Sequence, residues 1–447
     1  MSDRPAPLLQ SGLLRLVRRG AWGHARKVLE KSHPADVAQV LDRLTTADRK
    51  AVFDLIDSDD TRAEVLSLLE FAGRADLLVG IEAVAAARFL TLMSTDDAAL
   101  ILRELPREHA DEILEQMGES AEDVESLLGY AEDTAGAIMT TDCFALSEEL
   151  TVKEAVEKLQ EKGEAEAAFY VYVVDDRNHL IGVLSLRQLI MQPSYTALRD
   201  CMVADPLRVS TDTDQEDVAR MVARYDLLAV PVVNPNNQLL GVVTVDDVID
   251  VIREEATEDI LKMAGTTVEE VNSPGLLRGA WIRFPWLVAS FAGGIGAVAI
   301  LSRFEERLET AIQLAFFMPI ILGMGGNVGS QCAMVVVRGL ATGRIELTSI
   351  GQIVRYELGT ALLLGTAFGI GLAVIATAFG FAPRRFPLVV GLGIFSSILI
   401  AAALGTLVPL FFHRIGVDPA VASGPLVTTV TDIMALLGFF IIAYALL

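Results

Sequence analysis

Cysteine is scarce in this chain: Cys143, Cys201 and Cys332 are its only three, too scattered for a disulfide framework or a thiolate zinc site. That scarcity points to a reducing compartment. Lysine is absent after residue 275, where 10 Arg and 7 acids are all that interrupt long uncharged runs. The opening MSDRPAPLLQSG lacks an apolar core of signal-peptide length, so the first half is expected in the cytoplasm. No phosphate-binding loop for ATP hydrolysis is present and no catalytic set is assigned, so the chain reads as a non-enzyme.

What remains divides into two materials. The 447 residues carry 59 acidic and 36 basic side chains, a formal net charge of −23, and are 52% hydrophobic. Subtracting the residues after 275, whose net charge is +3, leaves 26 basic and 52 acidic side chains before it. The first half is soluble and strongly acidic. The second is apolar enough for lipid. An acidic surface of this size repels phosphate and excludes nucleic acid as a partner; multivalent cations are its natural counter-species.

Uncharged runs over Phe284–Ser302, Thr310–Val337, Leu358–Pro383 and Phe386–Phe412, and a fifth apolar stretch from about Pro419 to Leu447, each match the roughly 20 residues of a transmembrane helix. Five spans put the two ends on opposite sides, so a cytoplasmic first half predicts an external C-terminus. Six of the ten Arg fall on the inner side, in modest agreement. Asp432 interrupts the fifth stretch. With the helix starting near Val421, it lies roughly 17 Å deep, close to the bilayer midplane. A carboxylate there is costly against lipid, so it is expected to face a cavity or a partner. Thr428, Thr429 and Thr431 add hydroxyl oxygens around it. In the second span, Gly325-Gly326-Asn327-Val328-Gly329-Ser330-Gln331 combines close-packing glycines with the amides of Asn327 and Gln331.

The soluble half opens as short helices from about residue 10 to 130. HPADVAQVLDRL (33–44) and STDDAALILRELPREHADEILEQM (94–117) repeat a cap, an acid and apolar positions at i, i+3, i+4 and i+7, the pattern of a superhelical array. The pattern then becomes an internal duplication. FYVYVVDDRNHLIGVLSLRQLI (169–190) and LAVPVVNPNNQLLGVVTVDDVIDVI (228–252) are copies of one strand, turn, Gly-opened strand, helix unit, each preceded by a Met-x-x-Asp element. This duplication resembles a tandem pair of CBS domains, which implies a sensory module for nucleotides or metal ions. The second copy keeps the Thr-x-x-Asp that such domains use for ribose, as Thr244 to Asp247, which leaves ATP a candidate ligand. The first copy has Gln188 at the corresponding place, which disfavours it there. From Asp246 a single helical pattern carries Asp247, Asp250, Glu254, Glu255, Glu258 and Asp259 with only Arg253 and Lys262 to offset them. Like charges three and four apart repel, and divalent cations would relieve that repulsion.

Taken in order, these elements resemble the MgtE family of magnesium channels, most specifically in PIILGMGGNVGSQ (319–331) and DPAVASGPLVTTVTD (418–432). The resemblance implies a multidomain architecture: an all-α superhelical N-domain (1–132), an α/β tandem CBS pair (133–199 and 200–252), a connecting plug helix (253–280) and a five-helix transmembrane domain (281–447). It implies a homodimer in the cell's inner membrane with a pore at its axis. Mg2+ would be both cargo and regulator, passing Asp432, Asn327 and Thr428 passively. At high cytosolic Mg2+, ions bridging Asp96 and Asp97, Asp226, Asp247 and Asp250, and Glu255, Glu258 and Asp259 would close it, and Asp418 would share an ion with the plug. Mg2+ usually keeps several waters and engages one or two carboxylates, which suits such a pore. Two alternatives remain: a channel or carrier for Co2+ or Mn2+, and a membrane-anchored metal sensor that conducts nothing.

Overall fold

The computed structural model describes residues 6–162, 169–272, 275–304, 312–345, 350–381 and 383–447, in two compact units, Met1–Arg253 and Glu254–Leu447. Thr310, where the second uncharged run begins, lies outside the described residues.

The first unit opens with ten short helices, from Ala6–Arg18 to Ser120–Leu128. None is long enough to be stable alone in water, so each depends on burying its apolar stripe against its neighbours. Leu41, Leu66, Leu77, Leu90 and Ile101 supply that stripe and are fully buried. Polar termini are closed locally. Thr45 Oγ1 accepts from the Asp48 N–H (3.3 Å), and buried Arg49 donates from Nε to the Leu41 carbonyl (3.0 Å) at the end of the helix Pro34–Leu41. Between helices, Arg74 and Glu104 form an ion pair at 2.5 Å, with side chains only 11% and 7% exposed.

The duplicated segment forms two sheets. One has the order β1 (Ala145–Ser147), β2 (Tyr170–Val174), β3 (Leu180–Ser185), β4 (Val203–Ala204); the other has β5 (Val209–Ser210), β6 (Ala229–Val233), β7 (Leu239–Thr244). In each, a parallel pair is followed by an antiparallel one. The copies are interleaved. β4 lies at the start of the second copy yet pairs with β3, and Thr140, near the start of the first copy, pairs with Val242 in β7. Gly182 and Gly241 make this possible. A Cβ on Gly182 would collide with Met202, and one on Gly241 with the Thr140 carbonyl. Both glycines are the third residue of their strand and not its opening one, as the sequence pattern suggested. The second copy also shares a continuous core with the ten helices, through Val218, Val230, Val243 and Val248.

Among the described residues of the second unit, five helices are long and apolar enough to cross a membrane: Leu276–Arg303, Gln313–Ala341, Ile350–Ala378, Phe386–Arg414 and Pro425–Leu446. We number them as first to fifth span. The fourth packs against the second, third and fifth, meeting the second where Gly405 lies on the Gly329 carbonyl; the first packs chiefly on the fifth. The fifth stretch is not one helix from Pro419. A short helix, Pro419–Ser423, ends at Gly424, and the span restarts at Pro425, which needs no N–H partner at a helix start. Ahead of the spans, Val245–Met263 is a single 19-residue helix that begins at the end of β7, so the last helix of the second copy and the acidic connecting segment are one element. A second short helix, Val268–Asn272, follows it.

Candidate functional site

Restarting the fifth span at Pro425 moves Asp432 to its eighth residue, about 10 Å along the helix. It therefore sits nearer the start of its helix than the midplane position that a start at Val421 predicts. Asp432 faces a cavity of about 440 Å³ that it shares with Thr428 and Thr429 of the same helix, Ser290, Gly293 and Gly294 of the first span, and Leu322, Ser330 and Met334 of the second. The volume is many times the roughly 30 Å³ a water occupies in the liquid. Thr428 and Thr429 spend their protons on the Gly424 and Pro425 carbonyls at 3.3 and 2.6 Å, which leaves hydroxyl lone pairs to accept from water.

Two sequence expectations change here. Asn327 does not line this cavity: Leu322, Ser330 and Met334 are the residues of its helix that do, and Asn327 is exposed on an adjacent face with Gln331. Thr431 does not offer its oxygen to the cavity either. It is fully buried against Gly325 and Gly329, with a hydroxyl that has no hydrogen-bond partner among the described residues. Successive helix residues point about 100° apart, which separates Thr431 from Asp432 and Asn327 from Gly326.

The acidic helix Val245–Met263 ends at the mouth of this cavity, where Met263 and Ala264 join the lining. A Cβ on Gly424 would come within 2.5 Å of the Met263 carbonyl, so the helix end lies directly against the start of the fifth span. Lys262 occupies the junction. Its Nζ is 2.5 Å from Glu258 Oε1 and 2.7 Å from Asp418 Oδ2. Burial opposes its charge, but the bonds from Asp418 and Glu258 outweigh that and hold its pKa above the ordinary lysine range. The sequence leads one to expect an ion shared by Asp418 and this helix; Lys262 is the cationic side chain that lies between them. Glu255 and Asp259 lie half-buried on the same helix.

A second concentration of acid lies in the first unit. Asp96 and Asp97 open the helix Thr95–Glu104, and Asp246, Asp247 and Asp250 belong to the first turns of Val245–Met263. They are close enough to perturb one another. Burial raises the pKa of Asp96, and the Asp97 charge raises it further; burial likewise raises Asp247, followed by the charge of Asp96. Asp97 is raised by burial; a hydrogen bond with Ser94 and the Arg74 charge oppose that, while the charges of Asp246 and Asp250 add to it. Asp96 Oδ1 is buried with no hydrogen-bond partner among the described residues. Thr244 donates from both its N–H and Oγ1 to Asp247 Oδ2, one half of the capping box that Ser185 and Gln188 complete on the equivalent helix of the first copy. Asp226 does not join this group: it ends the helix Gln215–Tyr225 in a left-handed conformation (φ 51°), its side chain exposed and without a hydrogen bond or ion pair among the described residues. Among the described residues, no three His, Cys, Asp or Glu side chains converge to hold an ion by themselves. An ion here would rest on one or two carboxylates and keep its water, the habit of Mg2+ and not of thiolate-seeking metals.

Glu357 escaped the sequence reading, which began the third apolar run one residue later. It lies inside the third span, only 7% exposed, and accepts a hydrogen bond from Cys332 Sγ at 3.2 Å. The signal available was helix length, since a span starting at Ile350 takes in both Arg355 and Glu357.

Comparison with known proteins bears on all of these regions. A family model described as "MgtE: Divalent cation transporter" matches residues 318–442, one for the MgtE intracellular N domain matches 32–133, and a CBS domain model matches 135–194 and 198–254. The chain is 36% identical to the magnesium transporter MgtE of Thermus thermophilus, over 100% of this chain and 99% of that one. It is 34% identical to that of Bacillus subtilis, over 96% and 95% respectively. Among solved structures, the soluble part of a magnesium transporter matches with a TM-score of 0.51 and 34% identity, covering 56% of this chain and 100% of that one. The cytosolic domain of the Mg2+ channel MgtE in complex with ATP matches with a TM-score of 0.51 and 36% identity, over 54% and 99%.

Proposed function

The chain belongs to the MgtE family of magnesium transporters, and from that premise we propose that it is a Mg2+-selective channel, closed by Mg2+ on the side of its acidic unit. The observation that carries this reading is the cavity at Asp432. A carboxylate among hydroxyl oxygens, inside an otherwise apolar bundle, suits a hydrated divalent ion that gives up few of its waters. Flow through it is passive, down the electrochemical gradient.

The channel acts as a homodimer. Asn327 and Gln331 face outward from the second span, and amides facing lipid would be costly. A second copy would cover them and bring two Asp432 carboxylates to one hydrated ion. The soluble unit is cytoplasmic, and the five spans leave the C-terminus on the external side.

Gating rests on the clustered acids of the two units. Ions held among Asp96, Asp97, Asp247 and Asp250 relieve repulsion that the metal-free chain bears. Ions near Glu255 and Asp259, on the helix whose Glu258 pairs with Lys262, act alongside them, and both groups favour the closed form. For this to close the channel, the ions must bind the closed form more tightly than the open one. ATP is a candidate second ligand of the tandem copies, since the solved relative carries it, with Thr244 and Asp247 as its reading residues.

Reconstituted vesicles test the pore. Mg2+ uptake should fall to the background of empty vesicles in Asp432→Ala, and uptake unchanged by that substitution removes the pore assignment. Uptake of Co2+ or Mn2+ far above Mg2+ would favour the alternative cargo, and no uptake by the wild type would favour a sensor that conducts nothing.

A further inference from the structure

We propose that Lys262 is a tethered cation that takes the place of one regulatory divalent ion at the junction of connecting helix and pore, and thereby sets how much Mg2+ is needed to close the channel. This rests on the gating reading above and names the residue that tunes it.

The geometry is specific. One ammonium bridges Glu258, one turn back on its own helix, and Asp418, 156 residues away. Asp418 is fixed at both oxygens: Oδ2 takes Lys262, while Oδ1 accepts the Ala420 N–H at 2.8 Å and so caps the short helix Pro419–Ser423. That helix leads through Gly424 into the fifth span and Asp432. Lys262 is therefore the covalent neighbour of Met263, which lines the cavity, and the electrostatic partner of the segment that opens the pore helix. The bridge holds the helix end at the mouth of the cavity.

Electrostatics turns that contact into a threshold. Two carboxylates facing each other would repel, and a divalent ion between them would be the usual remedy. The ammonium supplies the remedy from within. Carried on the chain itself, it is present at a high effective concentration whatever the Mg2+ level. It also excludes a divalent ion from the same two oxygens by like charge. The closed arrangement consequently needs one ion fewer from solution than its acid count suggests.

The test is inhibition of Mg2+ flux in full-length protein reconstituted in vesicles, titrating Mg2+ on the face of the acidic unit. In Lys262→Gln, Glu258 and Asp418 face each other uncovered, so the half-inhibiting Mg2+ should rise about 5- to 10-fold, within the usual range of coupling effects. The inhibition curve should also steepen, because closure now takes up one more ion. Lys262→Arg should stay near wild type. The double variant Lys262→Gln with Asp418→Asn removes the repulsion together with the attraction, so its shift should be smaller than that of Lys262→Gln alone. A purely structural contact predicts the reverse, a double variant at least as impaired as either single one. Asp418→Asn alone provides a second route if Lys262→Gln is not recovered folded: half-inhibition should rise with unchanged steepness. Wild-type half-inhibition and steepness in Lys262→Gln, or wild-type half-inhibition in Asp418→Asn, would overturn the proposal. A wild type that Mg2+ never inhibits would instead overturn the gating reading itself, and the role of Lys262 with it.

Discussion

Acidic side chains meet opposite circumstances in the two units. In the first, Asp96 and Asp247 are drawn out of water and towards each other's charge, and among the described residues no ion pair joins either one to a basic side chain. In the second, Asp418 and Glu258 converge on Lys262. Both arrangements arise from helix ends rich in carboxylate, yet only one is neutralised by the chain. The difference separates two kinds of acid cluster that look alike in composition. Where an internal cation is present, the acids hold structure together; where it is missing, they leave a charge to be met from solution.

Four substitutions would break or sharpen that contrast. The largest effect is expected from Asp432→Asn, whose carboxylate is likewise in no ion pair among the described residues. Mg2+ flux in vesicles should drop to background, and retained flux would remove this acid from the uncompensated class. Next is Glu104→Ala, which strands buried Arg74 and should cost the cytosolic unit about 3 to 5 kcal/mol in denaturant unfolding, with or without Mg2+. Opposite in sign is Asp96→Asn. It removes a buried charge that burial and Asp97 both disfavour, so the metal-free unit should gain about 1 kcal/mol. That gain should vanish in millimolar Mg2+, and a loss of stability without Mg2+ would erase the contrast between the units. The smallest effect is expected from Glu357→Gln. The amide oxygen can still accept from Cys332, so flux and thermal stability should change little. A large loss of flux would make Glu357 a second conducting acid.

Much of this architecture is legible in the order of the amino acids, for identifiable reasons. Helical periodicity and uncharged length determine short helices and membrane spans almost directly, which is why the acidic array and the five spans could be read from the sequence. Strand, turn and Gly recurring at one offset announce the duplication. What escapes is what depends on the direction of a side chain or on a distant partner. Asn327 and Thr431 belong to the right segments but point away from the cavity, because a helix rotates about 100° per residue. Lys262 is a minor offset in an acidic stretch, and its partner is 156 residues on. Glu357 was lost because a run of uncharged residues marks the lipid-facing part of a span and not its full length. The interleaving of the two copies leaves no trace in the pattern either, since pairing across copies uses the same alternation as pairing within one.

That interleaving carries a consequence for how such a chain arises and folds. Each sheet borrows its closing segment from the sequence of the other copy: β4 for the first, the stretch around Thr140 for the second. Cutting the chain between residues 199 and 200 would leave each piece with an open sheet edge, an invitation to pair with whatever strand is nearest. Neither half should fold alone, while the two fragments expressed together should find each other. A single copy on its own would face the same deficit, which an exchange of segments with an identical neighbour would meet. The tandem arrangement makes that exchange internal to one chain, free of dilution.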